Sequence, residues 1–241
     1  MWRRRSDSSF QLNEHVVVLT GAGISAESGL STFRDAGGLW EQVDLEDVAT
    51  PEAWQRNPEL VRDFYNRRRH QVLAASPNAG HEALVDLENR CRVSVVTQNV
   101  DDLHERAGSS HVLHLHGSIM EARSPVNADD VITLGERDLT PELTCSRGHP
   151  MRPNVVWFGE AVPAMEEAAA LVSRADHLLV VGSSLNVYPA ASLVEFVAPG
   201  VPVSVVDPDA RLHLPGARVI QKPASEGVPE WVSSFRAAFS I

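Results

Sequence analysis

The sequence predicts an α/β fold in which a doubly wound parallel sheet carries a small inserted lobe. Strand-like runs recur along the chain, at 15–20, 92–97, 111–115, 154–157, 177–182 and 202–206. Helical patterns lie between several of them, at about 52–75, 78–90, 100–107, 162–175, 189–198 and 228–239. Strands that alternate with helices pair in parallel and carry helices on both faces of the sheet. A glycine turn directly after the first strand makes the expected sheet Rossmann-like.

The inserted lobe is predicted from a break in this pattern. Residues 119–152 are rich in Pro, Asp, Arg and Gly and carry little periodicity, and the helical segment at 32–75 adds a second part. The chain 1–241 is then a single domain with a large lobe at about 13–31, 76–118 and 153–241. The small lobe takes in about 32–75 and 119–152, and a ligand cleft is expected between the two lobes.

The composition excludes several classes of protein. A net charge of −11 argues against nucleic acid as a ligand, because phosphate binding needs a basic face. Apolar runs such as Leu178 to Val181 are too short to cross a membrane, and residues 1–12 lack the apolar stretch of an export signal. Two cysteines, Cys91 and Cys145, do not make a disulfide framework. We therefore expect a cytoplasmic protein, and a monomer is favoured.

Two glycine turns follow predicted strands. In the first, Gly21 and Gly23 allow a sharp turn and a close approach to a ligand, and their exposed N–H groups could hold the pyrophosphate of a dinucleotide. A Gly-x-Gly turn alone is a weak signal, because many strand-to-helix turns contain one. In the second, the small residues Gly182, Ser183 and Ser184 either bind phosphate or ribose oxygens or form a plain connection.

Polar side chains follow two other strands. Gln98, Asn99 and Asp101 stand at the carboxyl end of a predicted strand, where ligands bind in open α/β sheets. They could hydrogen-bond a ribose or a carboxamide, or Asn99 or Asp101 could cap the next helix. His114 and His116 lie two residues apart on a strand and so face the same side. An imidazole there can take a proton from a hydroxyl group, although such a pair is more often structural.

Six separated motifs, taken in order, resemble those of the sirtuins, a family of NAD-dependent protein deacylases. They read GAGIS-x-ESG-x-x-x-FR-x-x-x-GLW from residue 21, TQN-x-D from 97, His-Gly at 116, VVWFGE from 155, GSS from 182 and KPAS from 222. The resemblance covers nearly the whole chain, from about His15 to about Phe235. It implies NAD as the cofactor and acyl-lysine proteins or peptides as substrates.

The resemblance also implies a role for each matching residue. His116 is the general base, Asn99 is catalytic, and both Gln98 and Asp101 join Asn99 at the nicotinamide end of NAD, which leaves His114 packed or solvent-facing. Val156, Trp157, Phe158 and Gly159 line the acyl-lysine tunnel and pair with the substrate backbone as an added strand. The remaining NAD-binding residues are Gly21, Ala22, Gly23, Ser25, Phe33, Arg34, Trp40, Gly182, Ser183, Ser184, Asp207 and Ala224.

The substrate class depends on Tyr65 and Arg68. They lie three residues apart on a predicted helix and share a face, within a basic stretch that could also be a solvated surface. The YNxR pattern resembles the sirtuins that remove acidic acyl groups, in which the Tyr and the Arg hold the distal carboxylate of succinyl- or malonyl-lysine. A guanidinium offers a planar fork to a carboxylate, and a phenol adds an uncharged donor.

The chain departs from the sirtuin pattern at two points. Most sirtuins hold the small lobe with zinc on two Cys-x-x-Cys pairs, but the segment 123–127 has no cysteine and only Cys145 remains of the second pair. A tetrahedral structural zinc site needs four side-chain ligands, so we expect no metal. Most sirtuins also place Asn near Asp207, and a carboxylate can accept but not donate a hydrogen bond.

These observations predict an NAD-dependent protein-lysine deacylase that prefers succinyl or malonyl groups and also accepts acetyl groups. Its expected products are nicotinamide, acyl-ADP-ribose and free lysine. Two alternatives use the same pocket: a protein mono-ADP-ribosyltransferase and a non-catalytic NAD-sensing module. The presence of His116 and Asn99 argues against the sensing module.

Overall fold

In the computed structural model, which describes residues 13–31, 44–209 and 214–239, strands and helices alternate as predicted. The strands are β1 (His15–Thr20), β2 (Arg92–Thr97), β3 (Val112–His114), β4 (Gly117–Arg123), β5 (Val131–Thr133), β6 (Arg152–Val155), β7 (His177–Val181), β8 (Val203–Val206) and β9 (Arg218–Ile220). The helices are α1 (Leu45–Val48), α2 (Pro51–Arg56), α3 (Pro58–Ala74), α4 (Ala79–Glu88), α5 (Leu103–Ala107), α6 (Met165–Val172) and α7 (Ala224–Ala238). Short 3₁₀ helices add Ala22–Ile24, Ala26–Ser28 and Ala190–Phe196.

The large sheet has the order β3-β2-β1-β7-β8-β9, and all of its neighbouring strands pair in parallel. Alternate residues of β1 pack into two separate hydrophobic cores, because successive side chains of a strand point to opposite faces. Val16 and Val18 pack with α4 and α7, whereas Val17 and Leu19 pack with α6 and the 3₁₀ helix at 190–196. Each fully buried Val or Leu contributes about 1.5–3 kcal/mol. The predicted doubly wound architecture is confirmed.

The smaller sheet is antiparallel, with the order β5-β4-β6. It encloses its own apolar cluster, formed by Ala122, Leu134, Leu139, Cys145 and Met151. Residues 119–152 therefore contain regular structure, which their weak periodicity did not reveal. The strand predicted at 154–157 is observed as β6, and it pairs with β4 in the small sheet although the prediction assigned 153 onward to the large lobe.

Helix boundaries differ from the prediction where capping residues intervene. The helix expected at 52–75 is divided into α2 and α3 at Asn57, whose side chain accepts a hydrogen bond from the backbone N–H of Leu60. Pro58 follows at the first position of α3, where its missing N–H has no intrahelical partner to lose. The segment predicted as a helix at 189–198 is a 3₁₀ helix.

Among the described residues, no helix combines the length and the apolar character that crossing a membrane would require.

Candidate active site

The candidate site lies where the ends of β1, β2 and β7 meet. Thr20 is in register with Thr97 on one side and with Val181 on the other. The residues that follow these three strands are therefore neighbours at one edge of the sheet. This places both glycine turns beside the polar segment 98–101.

The two glycine turns pack directly against each other. A Cβ on Gly23 would lie 2.6 Å from the Cα of Gly182, and a Cβ on Gly21 would lie 2.7 Å from the Gly182 carbonyl oxygen. The N–H of Gly21 donates to Val181 O at 3.0 Å, and that of Gly23 donates to Gly182 O at 2.9 Å. The prediction that these two N–H groups are exposed for a pyrophosphate is wrong, because the last residue of β7 accepts from Gly21 and the second turn accepts from Gly23.

A network of buried polar side chains links the first turn to the segment 98–101. The amide of Asn99 donates to Ser25 Oγ at 3.2 Å, and Ser25 Oγ donates to Asp101 Oδ2 at 3.1 Å. All three residues are buried. Gln98 Nε2 donates to Ser183 Oγ at 2.9 Å, which connects the same segment to the second turn. Six predicted NAD-binding residues therefore lie in one hydrogen-bonded or packed group: Gly23, Ser25, Gln98, Asn99, Asp101 and Ser183.

Asp101 makes the contact of a capping residue, which is one of the two roles that the sequence left open. Its Oδ1 accepts from the backbone N–H of Leu103 at the start of α5, as a capping residue does, while Oδ2 faces Ser25. Burial raises the pKa of Asp101, and its hydrogen bonds with Leu103 and Ser25 and the nearby His114 act in the opposite direction. The carboxyl group is held at a fixed position by partners on both oxygens.

His116 has the geometry of a neutral base. Its Nδ1 lies 2.9 Å from Gln98 O, and because a carbonyl only accepts, Nδ1 carries the proton. Nε2 is then the nitrogen with a free lone pair. Burial lowers the pKa of His116, and the Gln98 hydrogen bond offsets that in part. The neutral form that can accept a proton is favoured at neutral pH.

His114 does more than the packing or solvent exposure expected of it. Its Nδ1 lies 3.0 Å from Asn99 O and its Nε2 lies 2.7 Å from Glu105 Oε1. The two histidines thus hold successive backbone carbonyls, those of Gln98 and Asn99.

Tyr65 and Trp157 are both buried, and their contact joins α3 to the segment after β6. Trp157 Nε1 donates to the Tyr65 hydroxyl at 3.0 Å. The guanidinium of Arg152 stacks on the indole, with its central carbon 3.3 Å from the ring centroid. Arg152 also pairs with Glu160, whose Oε2 accepts from the backbone N–H of Trp157. The indole that orients Tyr65 is therefore fixed from both sides.

The main chain of the segment 156–158 has fewer free donors than the sequence suggested. Val156 N donates to His116 O, Trp157 N donates to Glu160 and Phe158 N donates to Ala49 O. These three N–H groups already have acceptors within the chain, and the expected strand pairing with a substrate stays a prediction. Phe158 and Gly159 are exposed at the end of the segment.

Arg68 lies one turn beyond Tyr65 on α3, and its Nη1 donates to Gln71 Oε1 at 3.2 Å. Burial lowers the pKa of Arg68, while Asp101 and Tyr65 oppose that shift, so both are close enough to interact electrostatically. The basic stretch is thus divided between partly buried and exposed residues and is not a uniformly solvated face.

The other predicted NAD-binding residues are distributed around this edge. Asp207 follows β8, and burial raises the pKa of its carboxyl group. Ala224 is the buried first residue of α7, and its carbonyl oxygen packs against Gly80. Ser184 is exposed next to Ser183. The predictions for Phe33, Arg34 and Trp40 fall outside the described residues.

The sequence profile of the Sir2 family matches residues 21–189. The chain belongs to the Sir2 family. It is a sirtuin enzyme of the NAD-dependent protein deacylase class, with NAD as its cosubstrate. A protein of Bacteroides thetaiotaomicron with the name NAD-dependent protein deacylase is 50% identical over 224 residues, which cover 90% of this chain and 96% of the relative. One of Helicobacter pylori with the same name is 49% identical over 203 residues, covering 84% of this chain and 88% of the relative.

Solved sirtuin structures share the whole fold. A Sir2 homologue mutant in complex with ADP-ribose has a TM-score of 0.87 at 38% identity, with 97% of this chain and 96% of that chain covered. A Sir2 homologue bound to NAD has a TM-score of 0.83 at 40% identity, covering 93% of this chain and 90% of that chain. A Sir2 protein with a p53 peptide and NAD+ has a TM-score of 0.72 at 31% identity, covering 93% of each chain.

Sequence reasoning missed the residues that hold this sirtuin's site residues in position through hydrogen bonds and packing. Glu105 and His114 hold the Asn99 carbonyl, and Arg152 and Glu160 hold Trp157. The spacing of His114 and His116 was a usable signal for the first pair, although only His114 lies in β3 and His116 follows it in a turn. The second pair meets only when the chain turns after β6, and no local pattern indicates it.

Proposed function

We propose that this sirtuin preferentially removes acyl groups that end in a carboxylate, such as succinyl or malonyl, from lysine side chains of proteins and peptides. Acetyl groups are removed more slowly. The observation that carries the proposal is the pairing of a partly buried arginine, Arg68, with the buried hydroxyl of Tyr65 on one face of α3. Both groups can donate to a carboxylate.

The hydrogen bond from Trp157 gives the Tyr65 hydroxyl a direction. The indole N–H only donates, so the phenol oxygen accepts from it, and the phenol proton remains to be donated elsewhere. Burial raises the pKa of Tyr65, which keeps that proton in place at neutral pH. A carboxylate is the better acceptor for it, because hydrogen bonds to a charged acceptor are about twice as strong as neutral ones.

Arg68 contributes a positive charge to the proposed site for the distal carboxylate. Its Gln71 partner is a neutral amide, and a distal carboxylate offers the bidentate, charged partner that a guanidinium prefers. An acetyl group has no such oxygen pair, so a plain acetyl-lysine leaves the half-buried guanidinium with its weaker partner. The difference between the two substrates is expected to be largest in KM.

The edge of the large sheet suits NAD. Asp101 can accept hydrogen bonds from hydroxyl groups, and the amides of Gln98 and Asn99 can both donate and accept. The glycine turns lie beside these residues and have no side chains that would keep a ligand away from the backbone. When bound, NAD supplies the ribose carbon that takes the acyl oxygen as nicotinamide leaves. We assign Asn99 and Asp101 to the nicotinamide end, where Ser25 orients both side chains.

His116 acts as the general base in this proposal. Its neutral ring accepts a proton at Nε2 from a ribose hydroxyl, and Gln98 O holds the ring through Nδ1. The half-buried Val156 and the exposed Phe158 and Gly159 would lie beside the peptide. A peptide occupies the related Sir2 structure with p53 peptide and NAD+.

The small lobe is also proposed to fold without zinc. The Cys145 sulfur accepts from the Ser124 hydroxyl and from the backbone N–H groups of Arg147 and His149, and these bonds lower the pKa of the thiol. Within the described ranges, no group of three or more His, Cys, Asp or Glu side chains could hold a metal. Metal analysis of the purified protein should find far less than one zinc per chain, and a chelator should leave activity unchanged. One tightly bound zinc per chain would contradict this.

Matched succinyl-lysine and acetyl-lysine peptides test the acyl preference, with each product followed by mass spectrometry with and without NAD. The wild-type protein should show a higher kcat/KM for the succinyl peptide. Tyr65→Phe and Arg68→Met should reduce that preference mainly through KM, while Arg67→Met on the exposed side of α3 should not. Equal or faster loss of acetyl by the wild type would overturn the preference and leave the deacylase assignment in place. ADP-ribose on the peptide or on the enzyme would favour the transferase alternative.

A further inference from the structure

We propose that His114 and Glu105 form an ion pair that positions Asn99 and Asp101, with His114 as an imidazolium while His116 two residues away stays neutral. This rests on the proposed roles of Asn99 and Asp101 at the nicotinamide end of NAD. His114 and Glu105 are positioning residues, because they act through the backbone of Asn99 and the charge of Asp101.

The geometry at the two ring nitrogens of His114 determines its protonation. Nδ1 faces Asn99 O at 3.0 Å and Nε2 faces Glu105 Oε1 at 2.7 Å. A carbonyl oxygen and a carboxylate oxygen both accept hydrogen bonds, so a ring that satisfies both must carry a proton on each nitrogen. A neutral ring would leave one nitrogen lone pair facing an oxygen lone pair. Proton transfer to the carboxylate is disfavoured, since the hydrogen bond and charge of His114 lower the pKa of Glu105 against the effect of burial.

The charged groups around His114 favour the same state. Glu105 faces it from α5, and Asp101 faces it from the segment after β2. His104, also from α5, is buried and neutral, because burial and two neighbouring histidines lower its pKa. Burial alone would lower the pKa of His114, but the two carboxylates and the hydrogen bonds outweigh it and leave it raised.

His116 provides an internal contrast. It also bonds a carbonyl through Nδ1, but within the described residues its pKa is shifted only by burial, which lowers it, and by the hydrogen bond with Gln98, which raises it. Two histidines only two residues apart, His114 at the end of β3 and His116 in the turn that follows, are thus held in opposite protonation states by their surroundings. Such a division separates a group that accepts a proton from a group that is charged at neutral pH.

The His114 charge acts on Asn99 and Asp101 together. Asn99 is held at its backbone N–H by Thr97, at its side chain by Ser25 and at its carbonyl by His114. The imidazolium also opposes the rise that burial causes in the pKa of Asp101, so it favours the charged carboxylate. Loss of the His114 proton at high pH would release the carbonyl and weaken the charge at Asp101. Activity should therefore decline as the pH rises through the pKa of His114.

The first test reads the protonation directly. Long-range ¹H–¹⁵N spectra of ¹⁵N-histidine-labelled protein are recorded across pH 5.5–9, with His114→Gln and His116→Tyr used for assignment. Both His114 nitrogens should show imidazolium shifts at pH 7, while His116 should show a neutral ring protonated at Nδ1. A His114 ring that titrates at or below the pH expected for free histidine would overturn the proposal. This readout requires no activity.

The second test is Glu105→Gln, which removes the charge and keeps the shape, with Glu195→Gln on the exposed 3₁₀ helix as the matched control. In Glu105→Gln, the His114 titration and the high-pH decline of kcat should move together to lower pH. The decline should stay in place in the control. A loss of kcat by one constant factor at every pH would show a merely structural role and would overturn the proposal.

Failure of the acyl preference remains distinguishable from failure of this pair. The succinyl-to-acetyl ratio depends on Tyr65 and Arg68 and should be the same in Glu105→Gln and in the wild type. If the wild type shows no succinyl preference, the pH profile is measured with the peptide that reacts fastest. His114→Leu, which cannot hydrogen-bond, should lose on the order of tenfold to a hundredfold in kcat, because misplaced catalytic groups carry penalties of that size.

Discussion

At the scale of single residues, His116 illustrates how surroundings prepare a side chain for one task. Its Nδ1 proton is committed to Gln98 O, and partial burial favours the neutral ring. The pattern His-Gly could suggest the residue, but only the contact with the Gln98 carbonyl assigns which nitrogen is free to accept a proton.

Replacing His116 with Tyr should abolish turnover and leave NAD binding largely intact, because the proposed role is proton transfer. In the wild type, the low-pH decline of kcat/KM should lie below the ordinary histidine value of about 6.5, since burial lowers the pKa of His116. Below that pKa the ring is charged and cannot act as a base. Peptide kinetics across pH 5–8 and calorimetric NAD titrations measure both effects. Unchanged turnover in the variant would remove His116 as the base.

The Trp157→Phe substitution should lower the succinyl-to-acetyl ratio of kcat/KM by about threefold to tenfold, which corresponds to one hydrogen bond of about 1 kcal/mol. The phenyl ring preserves most of the packing but cannot donate to Tyr65, whose hydroxyl then has no fixed direction. Trp54→Phe is the matched control, since Trp54 packs near Trp157 at a centroid distance of 5.9 Å. An equal change in both variants would point to altered packing.

At the scale of elements, the two glycine turns act as one unit. The turn after β1 and the turn after β7 meet backbone to backbone, so neither has room for a side chain at Gly21, Gly23 or Gly182. The sequence indicated glycine turns at a ligand edge. The structure shows that the glycines are required first by the contact between the turns, and that contact sets the shape of the edge.

Gly23→Ala should destabilise the protein by about 1–3 kcal/mol, the usual range for overpacking, and should weaken NAD binding. Its Cβ would lie 2.6 Å from the Gly182 Cα, and a backbone atom cannot move aside as a flexible side chain can. Gly29→Ala is the control, because nothing lies within 4 Å of its Cβ and only its left-handed backbone (φ +88°) is strained. Urea unfolding compares the two. Normal NAD affinity in Gly23→Ala would contradict the expected distortion.

At the scale of the whole molecule, α3 connects the small lobe to the candidate acyl pocket. Its buried Arg69 donates to Arg137 O at 2.6 Å and pairs with Asp138, while Asn66 exchanges hydrogen bonds with the backbone of Leu139. Tyr65, on the same helix, contacts Trp157. These polar contacts fasten residues 137–139, a loop of the small lobe, to α3.

Arg69→Met should loosen that loop and lower the free energy of unfolding by about 1.5–3 kcal/mol, the range for hydrogen bonds to a charged group. The neighbouring Arg67→Met should have little effect, because Arg67 is exposed and bonds only its own helix in the described structure. Limited proteolysis should cut the Arg69→Met protein near 134–139 faster than the wild type. Equal cutting rates would show that packing alone holds the loop.

The sequence by itself determined the doubly wound sheet, the family, and the edge of the sheet at which the polar side chains of the candidate site lie. Strand periodicity, apolar runs and glycine turns are local patterns, and β1, β2, β7 and β8 fall within a residue or two of their predicted bounds. Tyr65 and Arg68 on one helix, and the segment 98–101 after a strand, could also be found this way.

Tertiary structure alone decided which of these groups touch. The strands of the small sheet, the hydrogen bonds that occupy the N–H groups of Gly21 and Gly23, and the contacts of Glu105 with His114 and of Glu160 with Trp157 depend on how the chain returns on itself. Hydrogen bonds and charge pairs act only over a few ångströms. Their partners lie far apart in sequence or in short irregular segments, so no periodicity records them.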